Sequence, residues 1–277
     1  MNREQLETQN VWPNTEIAIP ETIGYIEINR LKPEGNIIFV SDNHISYKAQ
    51  VNISLLYIHL AQQYGLTLFS PENHPVRQTF TKGNPHASRS SWESVIKRQQ
   101  VGMWTGDNSP DQLFYPSIIA HSAFFLGFDL DLVDSGQEGQ LVTVDLLHNY
   151  HFHPATNPTT NTPLHPDVQT AYDSLDPRLQ RALSAMGGPT IENIRYLRTA
   201  EHVNSVANVM RDGKKDLALM SRGDAHKNEF VSVAESLGLG YLVFIPEGLF
   251  LEDPLLTVLF NQKIAAIQKS LVQPLDK

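Results

Sequence analysis

The stretch from Asn36 to Glu72, NIIFVSDNHISYKAQVNISLLYIHLAQQYGLTLFSPE, predicts a β-strand, an α-helix and a second β-strand. The apolar run at 37–40 is short and rich in β-branched residues, as is typical of a strand buried in a parallel sheet. A segment with apolar residues on one helical stripe follows, and Gly65 is a typical helix end. Residues 66–69 predict the second strand, so the stretch is a βαβ unit.

Polar residues stand where each of these strands ends. Asp42 and His44 follow the first strand, and Glu72 follows the second. The unit therefore predicts that the three side chains lie at the carboxyl ends of two neighbouring parallel strands. In open α/β sheets that edge is the usual place for ligands, so we expect a cleft there.

The same pattern returns near the end of the chain. Residues 217–220 predict a strand, the turn at 221–226 is Ser-Arg-Gly-Asp-Ala-His, and a helix leads to a strand at 241–245. Both copies carry Asp-x-His after the first strand and Pro-Glu after the second. Strand, turn and helix are generic to βαβ units, but a buried parallel sheet has no structural need for an imidazole at its strand ends. We therefore expect four parallel strands in one sheet, with His44 and His226 at the same edge of one cleft.

The two Pro-Glu corners differ in the residues that follow them. Glu72 precedes the polar pair Asn73-His74, whereas Glu247 precedes Gly-Leu-Phe-Leu. We expect Glu72 to point into the cleft and Glu247 to be structural or exposed.

The whole chain has the composition of an ordinary globular protein. Its 277 residues are 41% hydrophobic and 18% charged, which suits one α/β domain over residues 1–277. Residues 1–15 predict a loose arm, and insertions at 73–126 and 148–190 are candidates for a lid. The expected fold is a mainly parallel sheet flanked by helices, built on the two βαβ units, with helical and loop insertions.

Charge and cysteine usage argue against several classes of protein. A net charge of -9 argues against a nucleic-acid-binding surface. No apolar run approaches the length of a membrane span, and the polar first residues do not form a signal-peptide core, so the expected location is the cytoplasm. Without cysteine there is no disulfide, no Cys-ligated zinc and no thiol nucleophile.

Further polar candidates lie between the two units. Asp134 follows another predicted strand, and a helix predicted from Thr190 to about Asp212 carries Arg195 and Arg198. Two alternatives are open for Arg198: an anion clamp aimed at the cleft, or an ion pair with Glu201 on a solvated face.

Three histidines in the segment HNYHFHP, at 148, 151 and 153, include two that would share one face of an extended backbone. That spacing suits a metal, but a His-rich surface loop is the commoner explanation, and we do not take this cluster as the main site.

Several of these features coincide in order along the chain. An apolar strand ends in Ser41-Asp-Asn-His44, a glutamate follows the next strand, and Gly127-Phe-Asp-Leu-Asp-Leu-Val-Asp134 follows later. A helix with paired arginines then precedes a strand that ends in Gly223-Asp-Ala-His226. Over roughly residues 36–247 this order resembles the TraB, Tiki, ChaN and erythromycin-esterase superfamily, whose two turns have the form Gly-x-x-His. The first turn departs from that form, with Ser41 in place of glycine and Asp42 where many members carry glutamate.

The resemblance implies a parallel α/β fold with a pocket formed by both histidine turns. Members of the superfamily look variously like metal-dependent peptidases, esterases that use histidine as a base, and haem-binding proteins. The leading hypothesis is a hydrolase of esterase or peptidase type, acting on a small molecule or a peptide. The candidate catalytic residues are His44, His226, Asp42, Glu72 and Arg198, and the candidate ligand-binding residues are Asp224, Arg195, Asp134 and His74.

Two mechanisms and one alternative function are open. A divalent metal held by His44, Glu72 and His226 would lower the pKa of a bound water. Without a metal, one histidine would act as a general base on water, oriented by Asp42, Asp224 or Glu72. The alternative is a protein that binds haem or another small ligand without catalysis.

Overall fold

The computed structural model describes residues 16–72, 78–80, 119, 122–123, 126–134, 136, 141, 166–190, 193–258, 261–262 and 265. The strands in these ranges are β1 (Gly24–Arg30), β2 (Asn36–Asp42), β3 (Leu68–Ser70), β4 (Gln78–Phe80), β5 (Leu130–Leu132), β6 (Leu217–Gly223) and β7 (Gly240–Pro246). The helices that are described throughout are α1 (Tyr47–Tyr64), α2 (Pro166–Ser174), α3 (Pro177–Ala185), α4 (Ile194–Gly213) and α5 (Lys227–Leu237). A short 3-10 turn at Asp224–His226 joins β6 to α5.

The described strands form one sheet in the order β1-β7-β2-β6-β3-β5-β4. The five central strands are parallel, and the edge strands β1 and β4 run antiparallel to their neighbours. This confirms the predicted α/β fold with a mainly parallel sheet, in which the four strands of the two units share one direction.

The two βαβ units are interleaved, which corrects one expectation. Strand β6 lies between β2 and β3, and β2 lies between β6 and β7. The prediction that Asp42, His44 and Glu72 stand at the ends of neighbouring strands is therefore wrong. A helical crossover is long enough to pass over one strand, so the sequence of a single unit does not fix which strand is its neighbour.

Helices cover both faces of the sheet. On β2, Ile37 and Phe39 pack into the core beneath α2 to α5, whereas Ile38 and Val40 pack into the core beneath α1. Every residue of β2 is buried, as the apolar run predicted. Residues 166–185 of the proposed insertion contribute α2 and α3 to the first of these cores, and most of the remainder of both insertions lies outside the described residues.

The helices that flank the site have clear ends. Ser46 caps α1 by accepting from the Ala49 amide at 3.2 Å, and Gly65 ends the helix in the left-handed conformation with φ 64°. Helix α4 begins later than Thr190, and Lys214 takes the left-handed conformation after Gly213. No helix in the described ranges is long and apolar enough to span a bilayer.

Candidate functional site

The register between β2 and β6 brings the two histidine turns to one edge of the sheet. Ser41 pairs with Arg222, and Asp42 pairs with Gly223. Because the strands are parallel neighbours, His44 and His226 both follow at their carboxyl ends, as the sequence predicted.

The two aspartates of the repeat do not occupy equivalent positions. Asp42 is the last residue of β2 and its side chain is 0% exposed, whereas Asp224 follows the end of β6 and its side chain is 37% exposed. The sheet register is thus offset by one residue from the alignment of the two Asp-x-His sequences. Oδ1 of Asp224 lies 3.8 Å from Nζ of Lys227, so Asp224 is part of a partly exposed ion pair.

Glu72 is buried where the parts of the site meet. Its Oε1 is 3.3 Å from Nη2 of Arg198 and 4.0 Å from Nη2 of Arg222. Its Oε2 accepts from the Gly223 amide at 2.9 Å and lies 3.9 Å from Nε2 of His44. Glu72 therefore points into the site, with its negative charge stabilised by two guanidinium groups and one backbone amide.

His44 is oriented by a buried carboxylate. Its Nδ1 lies 2.8 Å from Oδ2 of Asp42, and the His44 side chain is 21% exposed. Oδ1 of Asp42 has no hydrogen-bond partner among the described residues. Since Asp42 accepts the Nδ1 proton, the Nε2 edge of His44 is the one that faces Glu72 and can take up a proton.

His226 has a defined tautomer. The Thr199 hydroxyl donates to the Arg195 carbonyl at 2.9 Å, so it accepts from Nδ1 of His226, also at 2.9 Å. Burial, and next the charges of Arg222, Arg198 and Arg195 and the neighbouring His202, hold the pKa of His226 well below its ordinary value of 6.5. His226 is therefore neutral at physiological pH, with its unprotonated nitrogen at Nε2.

Glu72 and His226 both lie close to Gly223. A Cβ built on Gly223 would be 3.7 Å from Oε2 of Glu72 and 3.9 Å from Cδ2 of His226. His44 thus contacts the Glu72 carboxylate, whereas His226 shares with it the space around Gly223.

Buried polar residues that the sequence did not single out complete the cluster. Arg222 is 0% exposed and is the largest fully buried side chain of the described residues. Its Nη1 is 3.1 Å from Nδ1 of His202, whose Nε2 is 2.7 Å from the Ser70 hydroxyl. An arginine that continues a buried apolar strand directly into a Gly-x-x-His turn is unusual, and this signal could have identified Arg222.

The helix that carries Arg198 presents it to the site. Arg198 is 6% exposed and contacts Glu72, so it does not lie on a solvated face. Glu201 accepts from the Ser174 hydroxyl of α2 at 2.5 Å.

The other candidates take different places. Asp134 accepts from the Gly136 amide at 2.9 Å and from the Ser205 hydroxyl at 3.2 Å, which ties its loop to α4. Arg195 is exposed and meets the site through its carbonyl and its charge. Glu247 is also exposed, as expected, and pairs with Lys48. His74 and the histidines at 148, 151 and 153 lie outside the described residues.

The donor set around Glu72 does not fit a metal ion. In the part of the chain that the structure describes, no group of three or more His, Cys, Asp or Glu side chains is arranged to hold one. Of the three proposed ligands, Glu72 already binds Arg198 and the Gly223 amide. A cation at Glu72 would also meet the positive charges of Arg198 and Arg222.

The same residues do not suit haem. A bound cofactor of that size needs largely apolar walls. Among the described residues, His44 instead lies near the carboxylates of Asp42 and Glu72, and His226 is exposed to the charges of Arg222, Arg198 and Arg195.

Neither a protein-family model, nor a curated protein, nor a solved structure matches the chain. The resemblance to the TraB, Tiki, ChaN and erythromycin-esterase superfamily accordingly remains an inference from the sequence motifs.

Proposed function

We propose that this protein is a hydrolase of esterase or peptidase type in which His44 is the general base and Asp42 orients it. The observation that carries the proposal is the 2.8 Å contact between Nδ1 of His44 and the buried carboxylate of Asp42. A carboxylate in that position fixes the ring and stabilises the imidazolium that forms when Nε2 accepts a proton.

The position of Glu72 supports the same chemistry. Its Oε2 is 3.9 Å from Nε2 of His44, which is too long for a direct hydrogen bond but suits one water molecule in contact with both atoms. In the proposed reaction Nε2 of His44 takes a proton from this water, whose oxygen attacks the carbonyl carbon of an ester or amide. The imidazolium of His44 then returns the proton to the leaving group.

The remaining polar groups would interact with the charges and protons of the reacting groups. Arg198 supplies positive charge beside the carbonyl oxygen, where negative charge develops. Neutral His226 is a hydrogen-bond acceptor at Nε2, and its lowered pKa makes it a weaker base than an ordinary histidine. The described residues do not fit a metal.

The proposal is tested on a panel of p-nitrophenyl esters and fluorogenic peptides. The expected result is turnover by the wild type that survives treatment with EDTA. His44→Gln should lower kcat by about 10²- to 10⁴-fold, the usual contribution of a general base. Glu247→Gln is the control, because it introduces the same residue at an exposed position, where Glu247 pairs with Lys48.

Three results would contradict the proposal. They are no turnover of any substrate by the wild type, unchanged kcat in His44→Gln, and complete loss of activity with EDTA that is restored by a divalent metal.

A further inference from the structure

A directed chain of hydrogen bonds lies behind Glu72. Arginine only donates, so Nδ1 of His202 must accept from Nη1 of Arg222 at 3.1 Å. The His202 proton therefore lies on Nε2, which donates to the Ser70 hydroxyl at 2.7 Å. The Ser70 hydroxyl in turn donates to the Val133 carbonyl at 3.1 Å. The order of donors is thus Arg222, His202 and Ser70, and the chain ends on a backbone oxygen.

This series of hydrogen bonds joins the ends of three strands to one helix. Arg222 is in β6, Ser70 ends β3, and Val133 follows β5, whereas His202 is on α4. His202 follows Arg198 by four residues, so both side chains lie on the same face of α4. Arg222, His202 and Ser70 are each 0% exposed, so water does not replace these bonds.

These hydrogen bonds hold the guanidinium of Arg222, which lies near Glu72. Nη1 of Arg222 is held by His202, and Nη2 is 4.0 Å from Oε1 of Glu72. Because the guanidinium is planar and rigid, holding Nη1 in place restricts the positions that Nη2 can take. Glu72 then has Arg198 and Arg222 on the side of Oε1, and Oε2 is left to the Gly223 amide and His44.

We propose that His202 is a positioning residue, whose neutral Nε2–H form holds Arg222 against Glu72 and thereby sets the orientation of Glu72 towards His44. The effect on catalysis rests on the proposed function. The tautomer and the orientation are properties of the folded protein and do not depend on it.

Two substitutions separate positioning from mere packing. His202→Phe keeps an aromatic ring and removes both hydrogen bonds, whereas His202→Gln keeps one acceptor and one donor. His202→Phe should lower kcat by roughly 10- to 100-fold with little change in KM, as is usual for residues that orient a catalytic group, and His202→Gln should restore most of it.

Tyr57→Phe is the control for a buried polar atom. The Tyr57 hydroxyl is buried on α1 without a hydrogen-bond partner among the described residues, so its removal should leave kcat unchanged. A loss of kcat in Tyr57→Phe equal to that in His202→Phe would overturn the proposal, because it would mean that any change in the core has this effect.

Nitrogen-15 NMR of histidine-labelled protein at pH 7.5 provides a readout without substrate. His202 should show the neutral Nε2–H tautomer, and the His44 signals should shift in His202→Phe but not in Tyr57→Phe. An Nδ1–H tautomer or an imidazolium at His202, or His44 signals unchanged in a folded His202→Phe, would overturn the proposal.

The two proposals can fail separately. If the wild type turns over no substrate, the proposed function fails, and the NMR spectra of the wild type and the two His202 variants still decide the positioning role. If His202→Phe does not fold, the positioning role is decided by other measurements. These are the His202 tautomer in the wild type, and the activity and His44 signals of His202→Gln.

Discussion

At the scale of single residues, the burial of Glu72 changes what its substitution should do. From the sequence alone, Glu72→Gln is expected to abolish activity with little loss of stability. In the structure Oε1 of Glu72 lies near both Arg198 and Arg222, and both guanidinium groups are buried with it. Glutamine would leave two positive charges without their carboxylate, and breaking a buried pair in this way costs about 3–5 kcal/mol.

We therefore expect Glu72→Gln to lose both activity and stability. Urea unfolding of the wild type and the variant measures the second effect. Glu247→Gln is the control, since its exposed pair with Lys48 is worth less than about 1 kcal/mol. Equal unfolding free energies for Glu72→Gln and the wild type would show that the Glu72 carboxylate does not stabilise the buried positive charges of the two arginines.

Arg198→Lys tests whether the planar guanidinium is needed. Lysine keeps the positive charge near Oε1 of Glu72 but replaces a fork with a single ammonium, which does not reproduce its fixed geometry. We expect kcat/KM to fall by at least about tenfold, equivalent to about 1.4 kcal/mol of transition-state stabilisation. Arg178→Lys is a control on an exposed arginine that pairs with Asp176. Unchanged kcat/KM in Arg198→Lys would remove Arg198 from the catalytic residues.

His226 makes stability depend on pH in a predictable direction. Its pKa in the folded protein is well below 6.5 because it is buried beside arginines, while in the unfolded chain it titrates near 6.5. Below pH 6.5 the unfolded state therefore binds more protons, and stability falls as the pH is lowered, by at most about 1.4 kcal/mol per pH unit.

The contribution of His226 is isolated by comparison with His226→Gln. Urea midpoints of both proteins between pH 7.5 and pH 5 should fall more steeply for the wild type, because glutamine does not titrate. Parallel curves would mean that the pKa of His226 is not lowered in the folded protein.

At the scale of elements, the segment after β7 holds the loop that carries His44. Asn43 donates from its side chain to the Leu249 carbonyl at 2.7 Å, and the Ser46 hydroxyl donates to the Gly248 carbonyl at 2.6 Å. The Asp253 amide donates to the Ile45 carbonyl at 2.7 Å. Three residues near the start of α1 are thus tied, two through their side chains and one through its carbonyl, to residues about 200 positions later in the chain.

Ser46→Ala should cost stability and activity together. It removes the cap of α1 as well as the bond to Gly248, with an expected loss of about 1–2 kcal/mol in thermal unfolding. Because the His44 loop loses one tie, kcat should fall as well, and Ser46→Thr should restore part of both. Ser236→Ala is the control, since this half-buried serine donates to the Ser232 carbonyl of its own helix. A Ser46→Ala protein as stable as the control would show that the cap and the tie are not needed.

At the scale of the whole molecule, the interleaving of the two units creates the site. Because β6 is inserted between β2 and β3, the turn that carries His226 lies between the turn that carries His44 and the corner that carries Glu72. If β2 and β3 were direct neighbours, as the sequence of the first unit suggests, the turn that carries His226 would not lie between His44 and Glu72. The sheet order therefore explains why Gly223, rather than a residue of the first unit, donates to Glu72.

The sequence by itself determined the class of fold, the main strands and the edge of the sheet at which polar residues collect. These follow from local patterns: apolar runs such as 37–40 specify buried strands, and Gly65 specifies a helix end. Asp42, His44, Glu72, Arg198 and His226 could be selected because polar residues at strand ends and an arginine on a helix face are visible without coordinates.

Only the tertiary structure decided which of these residues meet. Strand order and the one-residue offset between Asp42 and Asp224 depend on packing between segments far apart in the chain, which no local pattern records. The roles of Arg222 and His202 likewise depend on burial. An arginine and a histidine are ordinary surface residues in a sequence, and they become a directed hydrogen-bond chain only where exclusion of water forces each donor to find an acceptor.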